Sequence, residues 1–255
     1  MSNWIDDLKK LIPDYYERHA RLYPMLFLLF PILLTFWGIV PDKMYDWESV
    51  LGLALWCGSA FLLKELGRDR GKLKEKDLWA RWGGAPTTSY LRHRGDTNKT
   101  TLARVHKNIR LIITDIELPT AESEQKYPDR ADEVYEECTR VLKDKTRDTK
   151  KYPLIFKELC SYGFWRNLWG LKPWGICISI SCFAIIASAI YLKWRENHEW
   201  TSYNLFICAF IDFAIALFWL TLNENRIKIS ALAYAERLFE ATERLTEGAN
   251  DSQRF

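Results

Sequence analysis

Apolar and charged positions are segregated along this chain. Four blocks, residues 22–40, 50–63, 174–192 and 203–222, are almost free of charge, and the segments between them are dense in it. Three blocks reach the ~20 residues a helix needs to cross ~30 Å of hydrocarbon. The second is shorter; Trp47 and Leu66 extend it if the helix tilts or the bilayer thins. A run of that length also fits a buried helix of a soluble domain, but the first span would then have no way back after residues 41–49. The pattern therefore predicts four transmembrane helices.

The segment between spans two and three also reads as helical. Residues 64–82 continue the second span as a charged helix that stops at Gly83, Gly84 and Pro86. Residues 87–101 read as a polar loop or short turn. Helical spacing resumes over 100–114 (Leu102, Val105, Ile109, Ile112) and 129–145 (Val134, Cys138, Val141, Leu142). Residues 153–171 lead into the third span, and 227–245 form a final amphipathic helix through Ile227, Leu232, Leu238 and Leu245. No run alternates at period two. The expected fold is all-α, with an N-terminal segment and first transmembrane pair (1–66), a helical region (67–172), a second pair (173–222) and a C-terminal helix (223–255).

Lysine and arginine set the orientation. Lys9, Lys10, Arg18 and Arg21 precede the first span and Arg226, Lys228 and Arg237 follow the fourth, whereas the short loops carry Lys43 and then Lys193 and Arg195. The positive-inside rule places both termini and the central region in the cytoplasm. The polar lead contains acids and no small-residue cleavage pattern follows Val40, which speaks against a signal peptide. Trp37, Trp47, Trp165, Trp169, Trp174, Trp194, Trp200 and Trp219 fall at or near span ends.

Cysteine and histidine exclude several chemistries. Cys57, Cys177, Cys182 and Cys208 lie in spans, Cys138 and Cys160 lie between them, and no C-x-x-C pair occurs. The four histidines, His19, His93, His106 and His198, have no ligand spacing. The expectation is no metal, no cofactor and no catalytic residues.

Charge then divides the central region. Residues 64–112 hold thirteen bases against five acids, residues 113–149 hold eleven acids against six bases, and 150–172 are basic again. Contact with anionic lipid explains the cations near Lys64 and Lys172, but not Arg92, His93 and Arg94, nearly thirty residues away. The richest string is "DLWARWGGAPTTSYLRHRGDTNKTTLARVHKNI", 77–109. Arg81, Arg92, His93, Arg94, Lys99, Arg104 and Lys107, with hydroxyls at Thr87, Thr88, Ser89, Thr100 and Thr101, form a candidate phosphate or nucleic-acid site, and Trp79, Trp82 and Tyr90 are candidate base-stacking residues. No G-K-[ST] follows a strand, so this is not a Walker loop. Binding without catalysis is the economical reading.

"LWARWGGAPTTSYLRHR" followed by "TTLARVH", flanked by paired spans, resembles small bacterial membrane proteins of antiphage-defence islands, among them the transmembrane effectors of the Hailong system. The resemblance implies a tetrameric inner-membrane ion channel. A single-stranded DNA ligand, made by a partner nucleotidyltransferase, would hold that channel shut. It carries over no individual residue.

Asp212 stands in the middle of the fourth span, where a carboxylate costs roughly 2.5–3.5 kcal/mol. It shares a face with Cys208, Ala209 and Ala216, and Cys177, Ser181, Ala184 and Ser188 form a second small, weakly polar stripe on the third span. Two readings stay open: an acidic ring lining a pore between subunits, or a protonated Asp212 bonded across a helix interface to Ser181 or Tyr203. Either keeps Asp212 away from lipid, and the pair of small-residue stripes predicts a homo-oligomer. The competing function is a membrane-anchored scaffold that recruits a protein or anionic lipid without conducting ions.

Overall fold

The computed structural model describes residues 14–40, 47–197 and 203–252, and every element among them is helical. A π-helical turn, Glu17–Leu22, runs into α1 (Tyr23–Ile39). There follow α2 (Trp47–Trp82), α3 (Pro86–Leu91), α4 (Lys99–Ile112), α5 (Ala121–Lys126) and α6 (Pro128–Lys145). The chain ends with α7 (Pro153–Asn197), α8 (Tyr203–Thr221) and α9 (Glu224–Ser252). Four helical stretches, Glu17–Ile39, Val50–Leu91, Pro153–Glu196 and Tyr203–Thr221, are long and apolar enough to cross a membrane.

Local sequence explains the boundaries. Gly83 (φ 79°) and Gly84 (φ 135°) end α2 in conformations that side chains rarely adopt, and the Gly84 N–H closes on the Trp79 carbonyl at 2.8 Å. Pro86, Pro128 and Pro153 each occupy a first helical turn, where a missing N–H costs nothing. Asn98 caps α4 by accepting from the Thr100 N–H at 2.9 Å, and Thr120 caps α5 through the Ser123 N–H at 3.2 Å. Two elements differ from the sequence expectation: 86–91 and 121–126 are six-residue helices, too short to show a periodicity.

The helices fall into two compact units, residues 1–75 with 163–224 and residues 76–162 with 225–255. Both transmembrane pairs thus belong to one unit, and the C-terminal helix joins the central segment, a grouping across the four expected sequence blocks.

In the first unit Met25, Leu28, Leu34, Leu168, Leu171, Ile215 and Trp219 form the core. Trp219 is fully buried against Phe27 and Phe218, and its indole lies directly on the backbone of Gly175. A Cβ at Gly170 would fall 2.5 Å from the Gly71 nitrogen, so α2 and α7 touch backbone to backbone there. Beside this crossing, buried Asn167 donates from Nδ2 to the Ala20 carbonyl of the π turn at 2.6 Å. Arg166 donates to Asn167 Oδ1 (3.2 Å) and to Glu75 (3.3 Å). A chain of ion pairs follows: Lys64–Glu17, Glu17–Arg21, Arg21–Glu65 and Glu65–Arg68, at 2.8–3.3 Å. Lys172 Nζ closes the end of α8 by donating to the Leu222 carbonyl at 2.6 Å and the Leu220 carbonyl at 3.3 Å. In the second unit α4, α6, the first turns of α7 and α9 bury Val105, Ile109, Tyr135, Cys138, Leu142, Ile155, Leu238 and Phe239.

Candidate functional site

The second unit holds an open cleft of about 480 Å³ between the end of α2, α3, the 92–97 turn and α9. Its walls are Trp82, Gly84, Pro86, Ser89, Tyr90, Arg92, Arg94, Gly95, Asp96, Thr97, Lys228, Leu232 and Glu236. The volume lies in the ~300–1,000 Å³ range of small-ligand pockets.

The cleft gathers part of the sequence-predicted set. Trp82, Tyr90, Arg92, Arg94 and Ser89 line it. Tyr90 is backed by Phe239, stacked at 5.0 Å and 19°, so the ring is a fixed aromatic surface. Burial and the charges of Glu236 and Glu240 push its phenol above the usual tyrosine range. Arg81, His93, Lys99, Arg104 and Lys107 are exposed but outside the lining, and Arg104 faces Glu243 at 3.1 Å. Trp79 is half-buried with its indole nitrogen enclosed. Thr87 and Thr88 are buried in α3, and the Thr100 and Thr101 N–H groups serve the Asn98 cap.

Arg92 and Arg94 are already engaged. The Arg92 guanidinium donates to both oxygens of Asp132, from Nε at 2.8 Å and Nη2 at 2.7 Å, while Nη1 donates to the Gly83 carbonyl at 2.7 Å. This fork fixes the turn after α2 to α6. Arg94 is looser, at 3.3 Å from Asp132 and 3.7 Å from Glu124. Two arginines that the sequence offers to a phosphate are therefore held by acids of the neighbouring acidic segment.

A buried polar cluster supports the same turn from behind. Glu124, 1% exposed, accepts from the backbone N–H of His93 (2.8 Å) and Arg94 (3.2 Å) and from the Tyr135 hydroxyl (2.7 Å). Burial alone would raise its pKa, but these donors together hold it below the ordinary glutamate value. His106 pairs through Nε2 with the Leu91 carbonyl at 2.9 Å, which makes that nitrogen the donor, and burial lowers its pKa despite that bond. His93 stands edge-on to His106 at 4.9 Å and pairs through Nε2 with the Pro119 carbonyl at 3.2 Å.

Sequence reading missed Lys228, Leu232 and Glu236 as cleft residues. Their i, i+4, i+8 spacing marks one face of α9, but nothing in the chain tells which segment that face meets. No ion pair is formed by Lys228 or Glu236 among the described residues.

In the first unit, Asp212 is fully buried inside the chain's own bundle, and neither expected partner meets it: Ser181 is exposed and Tyr203 is 88% exposed. Its neighbour is Thr35 of α1, at 3.4 Å from Oδ2, while Oδ1 has no partner among the described residues. The Thr35 hydroxyl hydrogen goes to the Pro31 carbonyl at 2.9 Å. Asp212 thus lacks a strong donor among the described residues, because the Thr35 hydroxyl is shared with the closer Pro31 carbonyl. Cys208 and Ala216 are buried with it and Ala209 half-buried, whereas Cys177, Ser181, Ala184 and Ser188 all face outward. Gly175, Ser179, Cys182 and Ile186 form the inward face of α7 instead. Both stripes have the same four-three-four spacing, so periodicity cannot choose between them; the seat for Trp219 on Gly175 does.

Comparison with protein-family models, with curated proteins and with solved structures finds no match for this chain.

Proposed function

We propose that this chain is an oligomeric inner-membrane effector, an ion channel or membrane-permeabilising protein gated by an anionic nucleotide or single-stranded nucleic acid in the Trp82–Lys228 cleft. The observation that carries the reading is the composition of that cleft: aromatic Trp82 and Tyr90, the uncommitted cation Lys228 and the partly committed Arg94 surround a ligand-sized volume. The walls also belong to helices continuous with, or next to, apolar spans. Trp82 ends the helix that contains the second span, and Lys228 lies in the first turns of α9, just beyond the fourth. A ligand joining Trp82 to Lys228 therefore contacts the helix that contains the second span and the helix that follows the fourth in the chain. The resemblance adds the setting, antiphage defence with a nucleotidyltransferase as the ligand's source.

The test is electrical. Purified protein in planar bilayers should give ion currents that change when mononucleotides or single-stranded oligonucleotides are added, and Lys228→Glu should remove the response and leave the current. Ligand binding with no current under any condition favours the scaffold reading, and absence of both binding and current sinks the effector proposal.

A further inference from the structure

The residues of α9 that line the cleft form a graded row. Lys228, Leu232 and Glu236 follow at four-residue intervals on one face, so at 1.5 Å per residue the cation and the acid stand about 12 Å apart with an apolar side chain between them. Lys228 and Glu236 are exposed, and Leu232 is 40% exposed. Glu236 and Tyr90 line the same cleft, and burial first, then the charges of Glu236 and Glu240, push the phenol up. One end of the cleft is therefore cationic, and the other carries an acid beside an aromatic plate.

That polarity disfavours a strand laid along α9, because its repeated phosphates would meet Glu236 as well as Lys228, and the other cations of the lining, Arg92 and Arg94, are already paired with Asp132 and Glu124. A single nucleotide fits the cleft better. Its phosphate lies at Lys228, its sugar passes Leu232, and its base reaches the Tyr90 ring at the far end. An ionised carboxylate only accepts hydrogen bonds, through two adjacent oxygens. The base edge best matched to it presents two neighbouring donors and no acceptor between them. Guanine does so through N1–H and its exocyclic amine. Adenine and cytosine set an acceptor beside their amine, and uracil and thymine flank one N–H with carbonyls.

We infer that the cleft takes one guanine nucleotide, with Glu236 reading the base, Tyr90 stacking on it and Lys228 holding the phosphate. This rests on the ligand-receptor reading above and narrows it. The experiment is titration calorimetry on the full chain in nanodiscs, with GMP, AMP, guanosine and a twelve-residue oligo(dT) as probes. Wild type should prefer GMP to AMP by about tenfold or more, the scale of one charge-assisted hydrogen bond. Glu236→Gln should reduce that preference to about twofold or less, because one acceptor becomes a donor. Lys228→Glu should weaken GMP by about tenfold or more and leave guanosine within about twofold. Both side chains are exposed, so neither change disturbs the core. Equal affinity for GMP and AMP, a preference that survives Glu236→Gln, or tighter binding of oligo(dT) than of GMP overturns the guanine assignment and leaves the receptor reading. Binding of none of the probes overturns both.

Discussion

Arg92, which the sequence offers as a phosphate ligand, is held by the protein's own groups. Its fork on Asp132 and the Gly83 carbonyl uses the donors that a phosphate would need. Arg92→Ala is therefore expected to destabilise the second unit by about 2–3 kcal/mol, the scale of hydrogen bonds to a charged group. Hydrogen exchange should speed up over residues 83–97 in the absence of any ligand; unchanged protection there would remove the structural role. The cluster behind the turn predicts a pH response. His106 has a folded pKa below its ordinary 6.5, so the unfolded chain binds the proton first and stability falls as pH drops below that value. Glu124 is likewise depressed from 4.5 and adds a second loss below that pH. Protection of residues 91–95 should hold from pH 8 to 7, decline below about 6.5 and collapse below about 4.5. His106→Gln should flatten the upper step alone. Asp212 makes the opposite case. With Thr35 already bonded to Pro31 and Oδ1 unpartnered among the described residues, Asp212→Leu removes a buried polar group without orphaning another. The variant is expected to melt no lower than wild type in detergent. A clear loss of stability would show that the carboxyl holds α8 to α1, and lost current at full stability would give it a part in conduction.

At the level of elements, the long helices are legible because their causes are local. Four apolar blocks, a glycine pair at the end of α2, prolines in first turns and an Asn98 cap are all visible in the chain. The packing of these helices is less legible. A four-three-four row appears twice on α7, about 200° apart, one of small residues throughout and one ending in Ile186, and the bulk of Trp219 on α8 decides which one turns inward. Gly175 is the consequence that can be tested. A side chain there would enter the indole ring, and Trp219 cannot retreat because Phe27 and Phe218 pack around it. Gly175→Val is expected to cost at least the ~1–3 kcal/mol of overpacking, read as a lower melting temperature in detergent. Ser181→Val, on the outward stripe of the same helix, should leave a dispersed single-subunit form unaffected. Equal effects of the two changes would mean that the inward face has been misassigned.

Across the whole molecule, the alternating charge blocks are the feature that the chain displays most openly and explains least. Read in sequence, a basic segment followed by an acidic one looks like a surface prepared for an outside partner. In the fold, part of that asymmetry closes on itself. Arg92 and Arg94 of the first block meet Asp132 and Glu124 of the second, forty and thirty residues on. The candidate site was thus half legible: its aromatic residues and turn follow from one string, but the row Lys228, Leu232 and Glu236 arrives from a helix more than a hundred residues away. The first unit has the opposite character, since much of its apolar surface remains uncovered by the chain itself. Only 11% of the apolar window of α2 is buried, and Val50, Leu55, Leu62 and Leu66 are between 57% and 78% exposed. Lipid covers such side chains without loss. Lipid gives no particular reason for the small outward row Cys177, Ser181, Ala184 and Ser188, which suits the close approach of another helix. The proposed oligomer is expected to form along that row. Native mass spectrometry in mild detergent should show a multimer for wild type, and Ser181→Leu with Ala184→Leu should dissociate it while the subunit keeps its helical circular dichroism. A wild-type monomer would end the oligomer proposal, and an intact multimer in the double variant would move the contact to the exposed face of α2.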